Sequence, residues 1–151
     1  MYIAETDKVE KMRIGDYLEG VVAAEMPASF YEEALKAQAV AARTYLIHKM
    51  NSADEETQNQ HKGADICTDY THCKAWKSRD QLKESWGSDY RTYKNKNHNA
   101  VEDTKDQLIT YNGEPISAVF HSTSSGNTEY AADVWGGEFP YLQSVSSEGD
   151  K

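Results

Sequence analysis

The sequence predicts an α+β fold, on three observations. Tyr31 to about Met50 runs without Gly or Pro and is rich in alanine, as a long helix requires. Asn112-Gly113 separates two apolar runs, Leu108–Tyr111 and Ile116–His121, and Asn-Gly tolerates the positive φ angles of a type I′ turn. Helical signals crowd the first half of the chain and strand signals the second, the order expected of α+β rather than α/β. The expected architecture is a helical N-terminal half with a long Ala-rich helix, then an antiparallel hairpin or sheet, all in one catalytic domain over 1–151.

In chain order, residues 1–14 read as one or two short extended pieces anchored by Val9, Met12 and Ile14. Asp16 is the candidate cap of a short helix with apolar positions Leu18, Val21 and Val22, stopped by Pro27. Ser29 and Glu32 have capping-box spacing and open the long helix. The alanines at 34, 37, 39, 41 and 42 predict close packing on several sides of it. Residues 51–62 read as a polar loop and 63–73 as a compact Cys/His segment. Ser78 with Gln81 is a second capping pattern, for a helix stopping near Gly87 or continuing weakly past it, and 100–105 is a short helical candidate. After the hairpin come a Ser/Thr/Gly loop, 122–128, and a last strand over Tyr141–Val145.

Composition removes several classes of function. The 25 acidic residues against 16 basic ones give a net charge of −9, and no Lys/Arg cluster offers the basic face that nucleic acid or anionic lipid needs. No apolar run approaches the length of a membrane span, and the N-terminus lacks a signal-type apolar region. Ten tyrosines and three tryptophans supply rings either for a core or for stacking on sugar faces, with the core the ordinary use.

Leu18, Val21, Val22 and Glu25 follow i, i+3, i+4, i+7 spacing and so share one helix face. A carboxyl in line with a buried stripe is expected to be partly desolvated, which favours the protonated form that a general acid needs. The plain alternative is a solvated Glu25 at the helix end, or one paired with arginine. Arg43, among the small residues of the long helix, is the candidate partner, either for Glu25 or for a ligand carboxylate.

His61, Cys67, His72 and Cys73 are spaced H-x5-C-x4-H-C. Two thiolates and two imidazoles complete a tetrahedral zinc set with no position left for water, so such a site is structural. Two readings compete: a Cys67–Cys73 disulfide, and histidines that are ordinary loop residues. Asp65 and Asp69 are candidate outer acceptors for the metal-binding rings, with solvated surface the ordinary fate of each.

Longer motifs carry a resemblance. Asp16-Tyr17-Leu18-Glu19-Gly20-Val21-Val22-Ala23-Ala24-Glu25-Met26-Pro27 is followed by Glu33-Ala34-Leu35-Lys36-Ala37-Gln38-Ala39-Val40-Ala41-Ala42-Arg43-Thr44-Tyr45. Later come Ala100-Val101, Thr104, Leu108, Tyr111, Gly113 and Ile116, then Phe120-His121-Ser122, Ser124-Ser125-Gly126, Val134-Trp135-Gly136 and Pro140-Tyr141-Leu142. In this order and register the chain resembles the stage II sporulation protein D family from about residue 9 to residue 145. Two departures stand out: the family usually continues well past the position of Lys151, which implies a share of the cleft outside this chain, and its Ser-Gly-Gly is Ser124-Ser125-Gly126 here.

The resemblance implies a lytic transglycosylase acting in spore engulfment, on glycan strands whose stem peptides a partner amidase has removed. The glutamate of Glu-Met-Pro is the family's catalytic acid, which puts that role on Glu25. It protonates the oxygen between N-acetylmuramic acid and N-acetylglucosamine. The sugar's own 6-hydroxyl then attacks C1, closing a 1,6-anhydro ring, and the ionised Glu25 takes the hydroxyl proton. Arg43 is the candidate holder of the muramic lactyl carboxylate. His121, Ser122 and Ser125 are candidates for hydrogen bonds to sugar, and Tyr141 and Trp135 for stacking, with core packing the ordinary use of Trp135. The implied location is the space between mother-cell and forespore membranes, with an anchor upstream of this chain. Two rivals remain open: a glycan-binding or scaffold module of the same complex, and a zinc hydrolase built on the Cys/His set.

Overall fold

The computed structural model describes residues 1–53, 55–137, 139–147 and 149. Three helices form the body: α1 (Ile14–Glu25), α2 (Glu32–Ser52) and α5 (Tyr90–Asp103) pack mutually. Around them lie the hairpin β1 (Tyr2–Ile3) with β2 (Lys8–Val9), the short helices α3 (Glu55–Gln60) and α4 (Arg79–Trp86), the hairpin β3 (Thr110–Tyr111) with β4 (Glu114–Pro115), and α6 (Ala131–Trp135). The α+β class holds, with helix dominant and both small sheets antiparallel. Among the described residues, no helix is long and apolar enough to cross a membrane.

The core is where the three helices meet. Leu18, Val21 and Val22 of α1 face Leu35, Ala39, Ala42 and Leu46 of α2, and Ala100 and Val101 of α5 close the third side. In α2, residues 42–46 are buried one after another, so this half of the helix is enclosed all round as its alanines predicted. Ala37, nearer the N-terminus, is exposed. Gly20 lets Trp76 lie directly on α1, since a Cβ there would stand 2.1 Å from the indole Nε1.

Several capping expectations are corrected. Helix α1 starts at Ile14, before Asp16, so Asp16 lies inside the first turn and pairs with Arg13 and Arg79, each at 2.8 Å. Helix α2 is entered from Tyr31, too far past Ser29 for a Ser29–Glu32 box, and its N-cap makes no side-chain bond. The Ser78 box does form: Ser78 Oγ accepts from the Gln81 amide at 3.2 Å and the Ser78 amide donates to Gln81 Oε1 at 2.8 Å. Of the three N-terminal anchors only Met12 packs on the core; Val9 is 50% and Ile14 44% exposed.

Four segments depart from the sequence reading, in whole or in part. Residues 51–62 hold the end of α2 and all of α3, which buries no residue and so leaves no apolar period to read. The candidate at 100–105 is the tail of the 14-residue α5, whose buried positions are only Asn97, Ala100 and Val101. The Asn112-Gly113 turn forms with φ of 52° and 87°, but its strands are two residues each: Ile116 N still donates to Ile109 O at 3.1 Å, while the Ile109 amide turns to Thr44 Oγ1 on α2 at 3.0 Å instead of completing the next rung. Tyr141–Val145 is not a strand. It runs back beside the 126–128 loop, tied by Thr128 N to Val145 O at 2.9 Å and Ser147 N to Gly126 O at 2.8 Å.

Candidate functional site

The Cys/His segment closes on itself. Lys62 and Gly63 take positive φ, turning the chain after His61, and the His72 and Cys73 amides both donate to Asp69 O, at 3.1 and 2.7 Å. That turn lets two neighbouring side chains face one point. The donor atoms of His61, Cys67, His72 and Cys73 all lie within 4.8 Å of one another. His61 Nε2 is 2.9 Å from His72 Nδ1, and Cys73 Sγ is 3.4 Å from each of these nitrogens. Cys67 Sγ is 3.6 Å from His72 Nδ1. A tetrahedral zinc with ordinary bond lengths would set N to N near ~3.3 Å and N to S near ~3.6 Å. The donors therefore stand about where a four-coordinate cation needs them.

The surroundings agree. His61 is buried and its Nδ1 lies 3.2 Å from the Ala64 carbonyl, which holds the ring proton there and leaves the Nε2 lone pair for a metal. Hydrogen bonding from Cys73, and then from His72, draws the Cys67 thiol down to about 5, towards the thiolate that binds metal, while Cys73 is pushed up by the same contact and by burial. Both cysteines are free, so the disulfide alternative is not formed. Asp69 is not an outer acceptor for a ring: its Oδ1 accepts from the Thr71 amide and hydroxyl, at 2.8 and 2.6 Å, and holds the turn. Asp65 is exposed. The hairpin β1–β2 ties the segment to the body through Tyr2 N to Ile66 O and Thr68 N to Tyr2 O.

Arg43 is 6% exposed and faces the end of α5. Its Nη2 donates to Val101 O at 2.8 Å, and its Nη1 to Thr104 Oγ1 at 3.3 Å and Gln107 O at 3.5 Å. The guanidinium thus takes up Val101 O, one of the carbonyls that a helix C-terminus leaves unpaired, and two acceptors just past the helix, where the macrodipole also favours a cation. It makes no ion pair with Glu25, and the expected pairing is corrected on that ground.

Glu25 is the last residue of α1 and is exposed. The dry part of its stripe stops at Val22, so the expected desolvation by the fold itself is also corrected. It makes no hydrogen bond or ion pair among the described residues. The cation in its field is Lys74, a residue that sequence reasoning passed over. Lys74 follows directly on Cys73, and a cation next to a fixed ligand inherits that ligand's fixed backbone; this is the signal that marks it.

Lys74 lines a groove of about 680 Å³ in which His121, Ser125, Trp135 and Tyr141 also stand. Ser122 is exposed and is not among the lining residues. Trp135 is 63% exposed, so core packing does not explain it. Tyr141 is half-buried, its ring 5.5 Å from that of Tyr111, and its hydroxyl accepts from the Ser117 amide at 3.2 Å. His121, Ser125 and Tyr141, from three late motifs of the sequence, thus stand with Lys74 at one groove; Glu25 is not among its lining residues, and Arg43 serves a different part of the molecule.

The SpoIID family model, described as stage II sporulation protein, matches residues 2–111. Stage II sporulation protein D of Bacillus subtilis (strain 168) is 44% identical over 153 aligned residues, covering 100% of this chain and 43% of that protein; the Bacillus amyloliquefaciens protein of the same name gives the same identity and coverage. The amidase enhancer of Bacillus subtilis is 37% identical over 125 residues, covering 83% of this chain and 14% of that protein. The chain therefore spans less than half the length of these relatives. With a family model over residues 2–111 and 44% identity along its whole length, the chain belongs to the stage II sporulation protein (SpoIID) family.

Proposed function

We propose that this chain is the catalytic domain of a peptidoglycan lytic transglycosylase, with Glu25 as acid and then base, working on peptide-free glycan strands during engulfment. The observation that supports the reading is an exposed, unpartnered carboxyl at the end of a buried helix, whose charge reaches Lys74 on the wall of a groove with exposed rings and hydroxyls. Because Glu25 is open to water in the free protein, the bound strand has to supply the dryness: a sugar laid over the carboxyl strips its water and favours the protonated form. One carboxyl suffices, since the nucleophile is the sugar's own 6-hydroxyl and Glu25 receives its proton after giving one to the leaving oxygen. His121 and Ser125 fit hydrogen bonding to hydroxyl or acetamide groups, and Trp135 and Tyr141 fit contact with sugar faces. Ser122, outside the groove lining, is left with a supporting part.

The Cys/His set suits zinc, held by His61, Cys67, His72 and Cys73. Four protein donors fill a tetrahedron, so its part is to staple residues 61–73 and, through them, to fix Lys74. The name of the amidase enhancer relative supports an amidase as functional partner, the enzyme class that frees the glycan of peptide. The place of action is then the space between the mother-cell and forespore membranes.

The test compares wild type, Glu25→Gln and chelated wild type on peptide-free strands. The expected result is cleavage lost by at least a hundredfold in Glu25→Gln, the lower range for a general acid, and cleavage retained under chelation mild enough to leave the fold intact. Cleavage that survives Glu25→Gln but stops on chelation without unfolding rejects the reading in favour of a metal-dependent hydrolase.

A further inference from the structure

Lys74 is placed with unusual care for a lysine. Its Nζ sits 3.9 Å from the centroid of the Phe120 ring and 4.4 Å from that of Tyr45, so two rings from separate parts of the chain grip one ammonium. It is half-buried, yet it donates no hydrogen bond and forms no ion pair among the described residues. Half-buried Lys36 and exposed Lys62 and Lys83 are each paired with a carboxylate. The ring faces take up no N–H direction fully, so the donors of Lys74 remain available to a ligand in the groove it lines. In a chain of net charge −9, a held and unspent cation at a groove wall is a local reversal of sign. The groove also carries Glu129, which makes Lys74 the more necessary for any anionic ligand.

We infer that Lys74 is the anion seat of the groove and takes the lactyl carboxylate of muramic acid, so that it selects glycan whose peptide has been removed. The chemistry is one of sign. A muramic acid carrying its stem peptide has that carboxyl tied up as an amide, which offers no charge; removal of the peptide exposes a carboxylate. A fixed ammonium distinguishes the two, whereas hydroxyl and ring contacts do not. Arg43, the other candidate for this anion, has its donors on Val101 O, the Thr104 hydroxyl and Gln107 O at the end of α5. The inference rests on the glycan reading above and adds the group that reads the substrate's state.

Binding of fluorescently labelled strands, followed by anisotropy at fixed salt, tests it without requiring cleavage. Peptide-free strands are compared with the same strands capped as the lactyl methylamide. Wild type is expected to prefer the free carboxylate by roughly tenfold, the value of one charge-assisted hydrogen bond. Lys74→Met, which keeps the packing of the stem, is expected to bind both strands alike, and Lys74→Arg to retain the preference. A preference that persists in Lys74→Met, or that is missing in wild type or in folded Lys74→Arg, overturns the assignment and leaves the glycan reading standing. Failure of wild type to bind either strand overturns both.

Discussion

A Cβ built on Gly20 would lie 2.1 Å from Trp76 Nε1 and 2.8 Å from the Lys77 carbonyl, against an indole and a backbone that already fill the space. In an open helix, Gly→Ala stabilises by up to about 1 kcal/mol; here overpacking, of about 1–3 kcal/mol, opposes it. Gly20→Ala is therefore expected to lower stability in urea titration, and a higher midpoint would contradict the packing. Arg43 gives a second test at this scale. Arg43→Met removes the donors that hold Val101 O, Thr104 Oγ1 and Gln107 O, and is expected to cost about 2–4 kcal/mol. Carboxylate preference in glycan binding should be unchanged in the folded fraction. The identity of Arg43 was legible as a polar residue among alanines. Its partner was not, because the choice between Glu25 and the α5 carbonyls depends on how helices far apart in sequence meet.

At the scale of elements, the Cys/His segment is the part that sequence conveyed best. Spacing marked four candidate ligands, and the structure, which gathers their donor atoms, adds what spacing lacks: the Asp69 turn that lets His72 and Cys73 face together, and the Ala64 carbonyl that sets the His61 ring. A zinc bound at a thousandfold excess over its Kd stabilises by about 4 kcal/mol, so chelation should lower Tm by roughly 10 °C. Cys73→Ser should show the same lowered Tm without a chelator, and an unchanged Tm in both would remove the staple. The long helix and the Asn-Gly turn were read correctly because each rests on local chemistry. Helix α5 was half missed because it buries a polar Asn97, whose Nδ2 donates to Glu19 O, where a period count looks for an apolar residue. The strand over 141–145 failed for the opposite reason: a short stretch with apolar Tyr141, Leu142 and Val145 found a loop to lie on rather than a ladder to join.

On the scale of the whole molecule, α1, α2 and α5 form a rigid three-helix body that carries Glu25 on one helix end, while the loops after β4 build the groove. Lys74, next to Cys73 at the end of the Cys/His segment, stands on the groove wall. The class of fold and the gathering of the late motifs were foreseeable from order and resemblance along the chain. The exposure of Glu25 was not, since helical periodicity gives a residue's face but not where the neighbouring wall ends. That exposure changes the account: dryness at the acid comes with the strand rather than with the fold. The most direct measurement is mass spectrometry of peptide-free glycan strands after incubation with the chain. The account predicts fragments ending in 1,6-anhydro-muramic acid, one water lighter than hydrolysed ends, and absent with Glu25→Gln; ordinary reducing ends, or anhydro ends undiminished in that variant, would contradict it.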